Sequence, residues 1–190
     1  MSIYQTVLKR VFDVASSGAA LGVLSPLLAA VSLAIRLEDG GPALFRQVRV
    51  GQNDEPFEIY KFRSMPVDTE NVSSDKATRV TITRIGAVIR RTNIDELPQL
   101  INILKGDMSV VGPRPAIPAQ QRLCQLRRGS GAHRLKPGLT GLAQVNSYDG
   151  MPEDEKAEWD SRYAKGISLF GDLSLILRTV TYIMNRPPVY

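Results

Sequence analysis

From Val11 to Ile35 the chain reads VFDVASSGAALGVLSPLLAAVSLAI, and Asp13 is the one charge in that run. The apolar positions surround the helix instead of forming one stripe, which speaks against the buried core helix of a soluble protein, an alternative the residues leave open. As a straight helix the run would be about 37 Å long, against a hydrocarbon core of about 30 Å. Ser25-Pro26 falls near its middle. Proline there removes a helical hydrogen bond and crowds the Gly22 carbonyl, and Ser25 can bond back to a carbonyl and favour a bend. Lys9 and Arg10 precede the run and Arg36 follows it. By the positive-inside rule both flanks then lie on the cytoplasmic side. A helix that enters and leaves the membrane through one face satisfies this. A kinked single span stays open on the residues alone, because membrane helices tolerate proline. A cleaved signal peptide does not fit a run this long with no compact cleavage site after it. Asp13 is expected to reach water at the helix end, with a pair to Arg10 as the alternative.

Past Gly40-Gly41-Pro42 the pattern changes. Ala43 to Val50 and Phe57 to Arg63 read as two strands around the turn GQNDEP. Val67 to Lys76 is a polar stretch expected to be a mobile loop. Ile82 to Arg91 has helical spacing, and Leu97, Leu100, Ile101 and Leu104 are expected to face a core. PEDEKAEWDSRYAK from Pro152 is a helix with its carboxylates in the first turn. A last helix is expected from about Asp172 to Asn185, with Leu173, Ile176, Val180 and Ile183 in one stripe. The whole is an α+β architecture: a membrane segment over 1–38, then a compact domain over 39–190 with a small β-hairpin or sheet and several helices.

Composition narrows the chemistry. A single cysteine, Cys124, excludes an intramolecular disulfide framework and a cysteine-rich zinc site, and a single histidine, His133, speaks against a histidine-based triad or a histidine-cluster metal site. The 24 Lys+Arg against 19 Asp+Glu give a net charge of +5. The stretch from Arg114 to Lys136 is basic and free of acid, a solvated face or a surface for anionic lipid headgroups and phosphates. Nucleic acid is not expected as a partner, because aromatics are 6% of the chain and no nucleic-acid-binding motif occurs.

The densest group of polar signals is RRTNIDELPQLINILKGDMSVVGPRP, from Arg90 to Pro115. Asp95 reads as an N-cap and Glu96 as a first-turn acid, with Pro98 tolerated close to the helix start. Everyday capping explains both. Equally, a helix start near Arg90, Arg91 and Arg114 can hold phosphate, and an ionised carboxylate there can serve as a nucleophile or a ligand for Mg²⁺.

The chain resembles the bacterial sugar transferases, the small monotopic phosphoglycosyl transferases. The resemblance rests on Lys9-Arg10 with Asp13, Ser25-Pro26, GPALFRQVRVG from Gly41, YKFRSM from Tyr60, Arg79 to Gly86, IDELPQLINILKGDMSVVGPRP from Ile94, and KPGLTGLAQVN from Lys136. It ends on Trp159-Asp160, Tyr163, Ser168, Asp172 and Thr179. The resemblance implies transfer of a sugar phosphate from a UDP-sugar to polyprenol phosphate with release of UMP. It implies a re-entrant helix–break–helix at Ser25-Pro26, amphipathic helices at the interface, and a place on the cytoplasmic face of the bacterial inner membrane against anionic phospholipid. Asp95 is then the nucleophile and Glu96 its partner, both with Mg²⁺. Lys61, Arg63, Arg90, Arg114, Gln144 and Asn146 are the expected substrate-binding residues, and a homodimer is a candidate assembly.

Two departures stand out. Asp54 occupies a turn position where the family often has glycine, and Ser147-Tyr148-Asp149 replaces a frequent Gly-Arg. The second puts the identity of the sugar in question more than the reaction. A conventional glycosyltransferase releasing UDP and a non-enzymatic membrane-bound scaffold are the competing classes.

Overall fold

The computed structural model describes residues 4–67, 82–148 and 150–185; the expected mobile loop falls almost wholly outside them. Helix α1 runs Lys9–Asp39, after one π-turn at Tyr4–Leu8. It is long and apolar enough to cross a membrane by length and composition. It is one element with Pro26 inside it, not two. Ser25 Oγ donates to the Gly22 carbonyl at 2.8 Å, replacing the N–H that Pro26 lacks.

Strands β1 (Leu44–Val50) and β2 (Pro56–Phe62) pair antiparallel, with Leu44 opposite Phe62 and Val50 opposite Pro56. Their turn places Asn53 and Asp54 at positive φ, 55° and 65°. Asp tolerates that conformation better than most residues, and Arg128 Nε holds its carboxylate at 2.7 Å. This is how the chain accommodates Asp54 at a turn position that favours glycine.

Helices α2 (Arg84–Arg91) and α3 (Gln99–Lys105) follow. Strands β3 (Ser109–Val111) and β4 (Gly138–Thr140) form a short parallel pair. Between them lies α4 (Gln121–Ser130); α5 (Leu142–Val145), α6 (Glu153–Lys165) and α7 (Leu169–Asn185) complete the chain. The α+β expectation is met.

The core lies along α1. Ala20, Leu21 and Leu24 pack on Ile59, Leu100, Ile103 and Met108. Leu28, Val31 and Ile35 pack on Ala43, Phe62 and Ile89. In α3 the buried face is Leu100, Asn102 and Ile103, while Ile101 points out, contrary to the sequence expectation. Asn102 is the reason. Its amide donates to Glu58 O at 2.7 Å and accepts from Tyr60 N at 3.0 Å, satisfying the edge of β2.

Asp13 does not reach water and does not pair with Arg10. It is 2% exposed and accepts from Ser109 Oγ and Val110 N, both at 3.0 Å. Arg10 instead donates to the Ile103 and Leu104 carbonyls at the end of α3. Lys9 pairs with buried Asp172 at 2.6 Å, and Tyr4 and Tyr163 donate to the same carboxylate. At the other end of α1, Asp39 pairs with Arg63, and Glu38 accepts from the Arg84 and Ile85 N–H groups at the start of α2. Both ends of α1 are therefore tied to one folded body.

The basic stretch is largely neutralised from within. Arg127 pairs with buried Asp160 at 2.7 Å, Arg122 with Asp154 and Arg128 with Asp54. In α7 the buried residues are Asp172 and Leu175, with Thr179 half-buried; of the expected stripe, Ile176 packs partly on the core while Leu173, Val180 and Ile183 are exposed.

Candidate active site

Asp95 and Glu96 lie on a 3₁₀ turn, Ile94–Glu96, entered through Asn93 in the left-handed region at φ 54°. Helix α3 starts four residues after Asp95, with Pro98 at its N-cap position, so Asp95 is not the expected cap. The capping account of this residue fails for want of a capping bond.

The two carboxylates have opposite environments. Asp95 is 5% exposed, and its Oδ1 has no hydrogen-bond partner among the described residues. Burial first, and the adjacent Glu96 second, push its pKa up to about 6, against the pull of Lys61, Arg90 and Arg114. Glu96 Oε1 accepts from Lys61 Nζ at 2.7 Å and from Arg114 Nη2 at 2.8 Å. Burial alone would raise the Glu96 carboxyl, but these two cations outweigh it and hold it well below the usual carboxylate range.

Each cation is placed by a definite element. Lys61 projects from β2. Arg114 follows a turn sewn to β4 by Gly112 N to Thr140 O and Gly138 N to Pro113 O, both 2.8 Å. A Cβ on Gly138 would lie 2.1 Å from Gly112 N, so only glycine allows the two backbones to meet and fix the root of Arg114. Arg90 leaves α2 and donates from Nε to Ser64 Oγ at 2.8 Å. A Cβ on Gly86 would lie 2.1 Å from Ser64 O, so the same close approach seats α2 on that loop.

The remaining expected residues make no hydrogen bond to the dyad among the described residues. Arg63 is buried and binds Asp39 with its guanidinium, Pro42 O through Nε at 2.7 Å and Met65 O at 3.1 Å. It fastens α1 to β2 and is not brought to the dyad. Asn146 donates to Leu142 O at 2.7 Å and accepts from Arg178 at 3.0 Å. Gln144 has neither side-chain polar atom partnered among the described residues. Ser64, which orients Arg90, went unassigned; its place directly after Arg63 in YKFRSM was the signal available.

Among the described residues no group of three or more His, Cys, Asp or Glu is gathered for a metal. That is compatible with Mg²⁺, which commonly takes one or two protein carboxylates and completes its shell with water and substrate phosphates. The unpartnered, buried Oδ1 of Asp95 beside the ionised Glu96 is a donor set of that kind.

A buried and a half-buried carboxylate ringed by lysine and arginine form a site for phosphoryl groups, where charge stabilisation outweighs acid–base chemistry. The sequence profile of the bacterial sugar transferases matches residues 4–186, and the chain belongs to that family. It is 44% identical over 185 residues to an exopolysaccharide production protein, PSS, of Rhizobium leguminosarum bv. phaseoli, covering 90% of this chain and 89% of that one. It is 40% identical over 191 residues to a UDP-glucose:undecaprenyl-phosphate glucose-1-phosphate transferase of Caulobacter vibrioides, covering 96% of this chain and 72% of the relative. A Klebsiella pneumoniae enzyme of the same name is 39% identical over 183 residues, 92% of this chain but 39% of its own length. The protein is an enzyme, a phosphoglycosyl transferase.

Proposed function

We propose that the enzyme moves a sugar 1-phosphate from a UDP-sugar to polyprenol phosphate in two displacements at one phosphorus. A carboxylate oxygen of Asp95 attacks the sugar-bearing phosphorus. The bond to the bridging oxygen breaks and UMP leaves with that oxygen, so Asp95 carries a phosphosugar. An oxygen of polyprenol phosphate then attacks the same phosphorus and Asp95 is released as carboxylate. Two steps mean that the nucleotide-sugar and the lipid need not be bound together.

The observation that carries this reading is the unpartnered Oδ1 of buried Asp95 among Lys61, Arg90 and Arg114. A group held for structure would be bonded. Glu96, locked between Lys61 and Arg114, keeps those cations at the phosphates and holds its own negative charge. Asp95 and Glu96 are the residues that would hold Mg²⁺, which supplies charge neutralisation at the phosphoryl oxygens when bound.

The relatives named for undecaprenyl phosphate support that lipid as acceptor and a UDP-sugar as donor. Although α1 is one continuous helix, the ties of Lys9 to Asp172 and of Asp39 to Arg63 support both of its ends lying on one side of the membrane, because a full span would carry one end away from the domain. The exposed apolar side chains of α7, Phe170, Leu173, Leu177 and Val180, suit the interface of the inner membrane on its cytoplasmic face. The test is a panel of UDP-sugars with undecaprenyl phosphate in detergent, reading the nucleotide released. UMP is expected with at least one sugar. UDP instead of UMP would overturn the reading in favour of a conventional glycosyltransferase.

A further inference from the structure

A second cationic, apolar-walled groove lies away from the dyad. It is formed by the C-terminal part of α1 and the start of β1, has a volume of about 650 Å³, and is lined by Ser32, Leu33, Arg36, Pro42, Leu44 and Arg46. Arg36 is exposed and has no side-chain hydrogen bond or carboxylate partner among the described residues. The acids next to it in sequence are engaged: Glu38 at the start of α2, and Asp39 with Arg63. Arg46 pairs with Glu58 at 3.9 Å, with both side chains exposed. Its guanidinium stacks 5.4 Å from the centre of the Tyr60 ring, with Lys105 Nζ at 5.1 Å from the same centre. Arg36 therefore carries charge that no acid among the described residues neutralises, and the exposed contact of Arg46 with Glu58 offsets its charge only weakly.

Its walls are apolar and run on into the exposed side chains of α1, with Leu33 58% and Leu37 76% exposed. Across the hairpin Arg46 is opposite Tyr60, and Lys61, the next residue, alternates to the other face, where it meets Glu96. The groove thus opens on the side of the hairpin away from the dyad.

We propose that this groove seats the phosphate headgroup of one anionic phospholipid, with Arg36 and Arg46 on the phosphate and the glycerol and first methylenes against Leu33 and Leu44. Paired arginines match phosphate oxygens in charge and geometry, and basic pockets beside membrane helices take anionic headgroups. The apolar walls select a lipid over free phosphate. The position away from Asp95 selects a resident phospholipid over the polyprenol substrate. The proposal rests on the membrane association argued above. It adds a fixed lipid that would hold α1 and the hairpin together at the headgroup level.

The test uses the full chain in detergent, titrated with dioleoyl phosphatidylglycerol or dioleoyl phosphatidylcholine and observed by native mass spectrometry. One phosphatidylglycerol should stay bound under activation that strips phosphatidylcholine. Arg36→Glu with Arg46→Glu should weaken that retention by about thirtyfold. In the unaltered protein, a photoactivatable phosphatidylglycerol should label residues 32–46, a readout that needs no variant to fold. Equal retention of the two lipids, labelling elsewhere, or one-for-one displacement by undecaprenyl phosphate would overturn the proposal. Sedimentation with pure phosphatidylcholine vesicles separates the two levels. Failure of the unaltered protein to bind them overturns the membrane reading itself; binding with the groove tests failing overturns only the lipid site.

Discussion

Asp95 and Glu96 are adjacent in sequence and opposite in state: Glu96 shares one oxygen between Lys61 and Arg114, at 2.7 and 2.8 Å, while Asp95 Oδ1 is bonded to nothing among the described residues. The same cations thus bond one carboxylate directly and leave Oδ1 of the other unpartnered.

A pH dependence follows from the raised Asp95 pKa of about 6. In the proposed reaction the nucleophile is the Asp95 carboxylate, so kcat/KM for the UDP-sugar should fall tenfold per pH unit below about 6 and level off above it. Glu96→Gln removes the neighbouring negative charge that raises Asp95. The acid limb should then move to lower pH, while kcat falls by about 10²-fold or more from the disordered Lys61 and Arg114. An unmoved limb would assign it to another group.

Arg114 and Arg63 separate chemistry from architecture. Arg114→Lys keeps the charge and loses the planar fork, and should cost about 2–4 kcal/mol of transition-state stabilisation with little change in Tm. Arg63→Lys breaks the clasp on Asp39 and Pro42 O. It should lower Tm while the folded fraction keeps most of its kcat. Steady-state kinetics and thermal unfolding on both variants check this.

The Arg127–Asp160 pair is buried and lies outside the site. Asp160→Leu leaves an uncompensated guanidinium, and should lower unfolding stability by about 3–5 kcal/mol. Turnover per folded molecule should hold. Denaturant unfolding gives the first quantity and active-site titration the second.

For topology, single cysteines at Ser2→Cys and Pro42→Cys, with Cys124 replaced by serine, should resist an impermeant thiol reagent in intact cells and react after permeabilisation. Labelling of Ser2→Cys from outside would establish a span.

Local signals made much of this legible. The hairpin, the helix at Glu153–Lys165 and the nearness of Arg90 and Arg114 to the acidic pair follow from strand alternation, helix-start acids and motif spacing, whereas Lys61 entered only through the family resemblance. What was hidden depends on partners distant in sequence. Asp13 looks like a helix-end charge until Ser109 and Val110 arrive from β3. Arg63 looks like a phosphate ligand until Asp39 claims it. Asn102 breaks an apolar pattern because it serves the edge of β2. The faces of α7 read wrongly because its apolar residues outnumber those its neighbours cover, and burial depends on which face meets β3 and β4.

The central claim is that Asp95 bonds to the sugar-bearing phosphate. Asp95→Asn is a clean probe, because the residue caps no helix and its buried charge disfavours folding at neutral pH by about 3 kcal/mol relative to an unshifted carboxyl. That cost is relieved as pH falls through 6 toward 3.8. The variant should therefore be as stable as the parent at pH 7 or more so, and its turnover should fall by several orders of magnitude. The decisive measurement is intact and peptide mass spectrometry of the unaltered enzyme given its UDP-sugar without polyprenol phosphate. The account predicts UMP release with one sugar phosphate gained on the peptide carrying Asp95, and none on the Asn variant. An adduct on Glu96 or any other residue, or substantial turnover by Asp95→Asn, would contradict it.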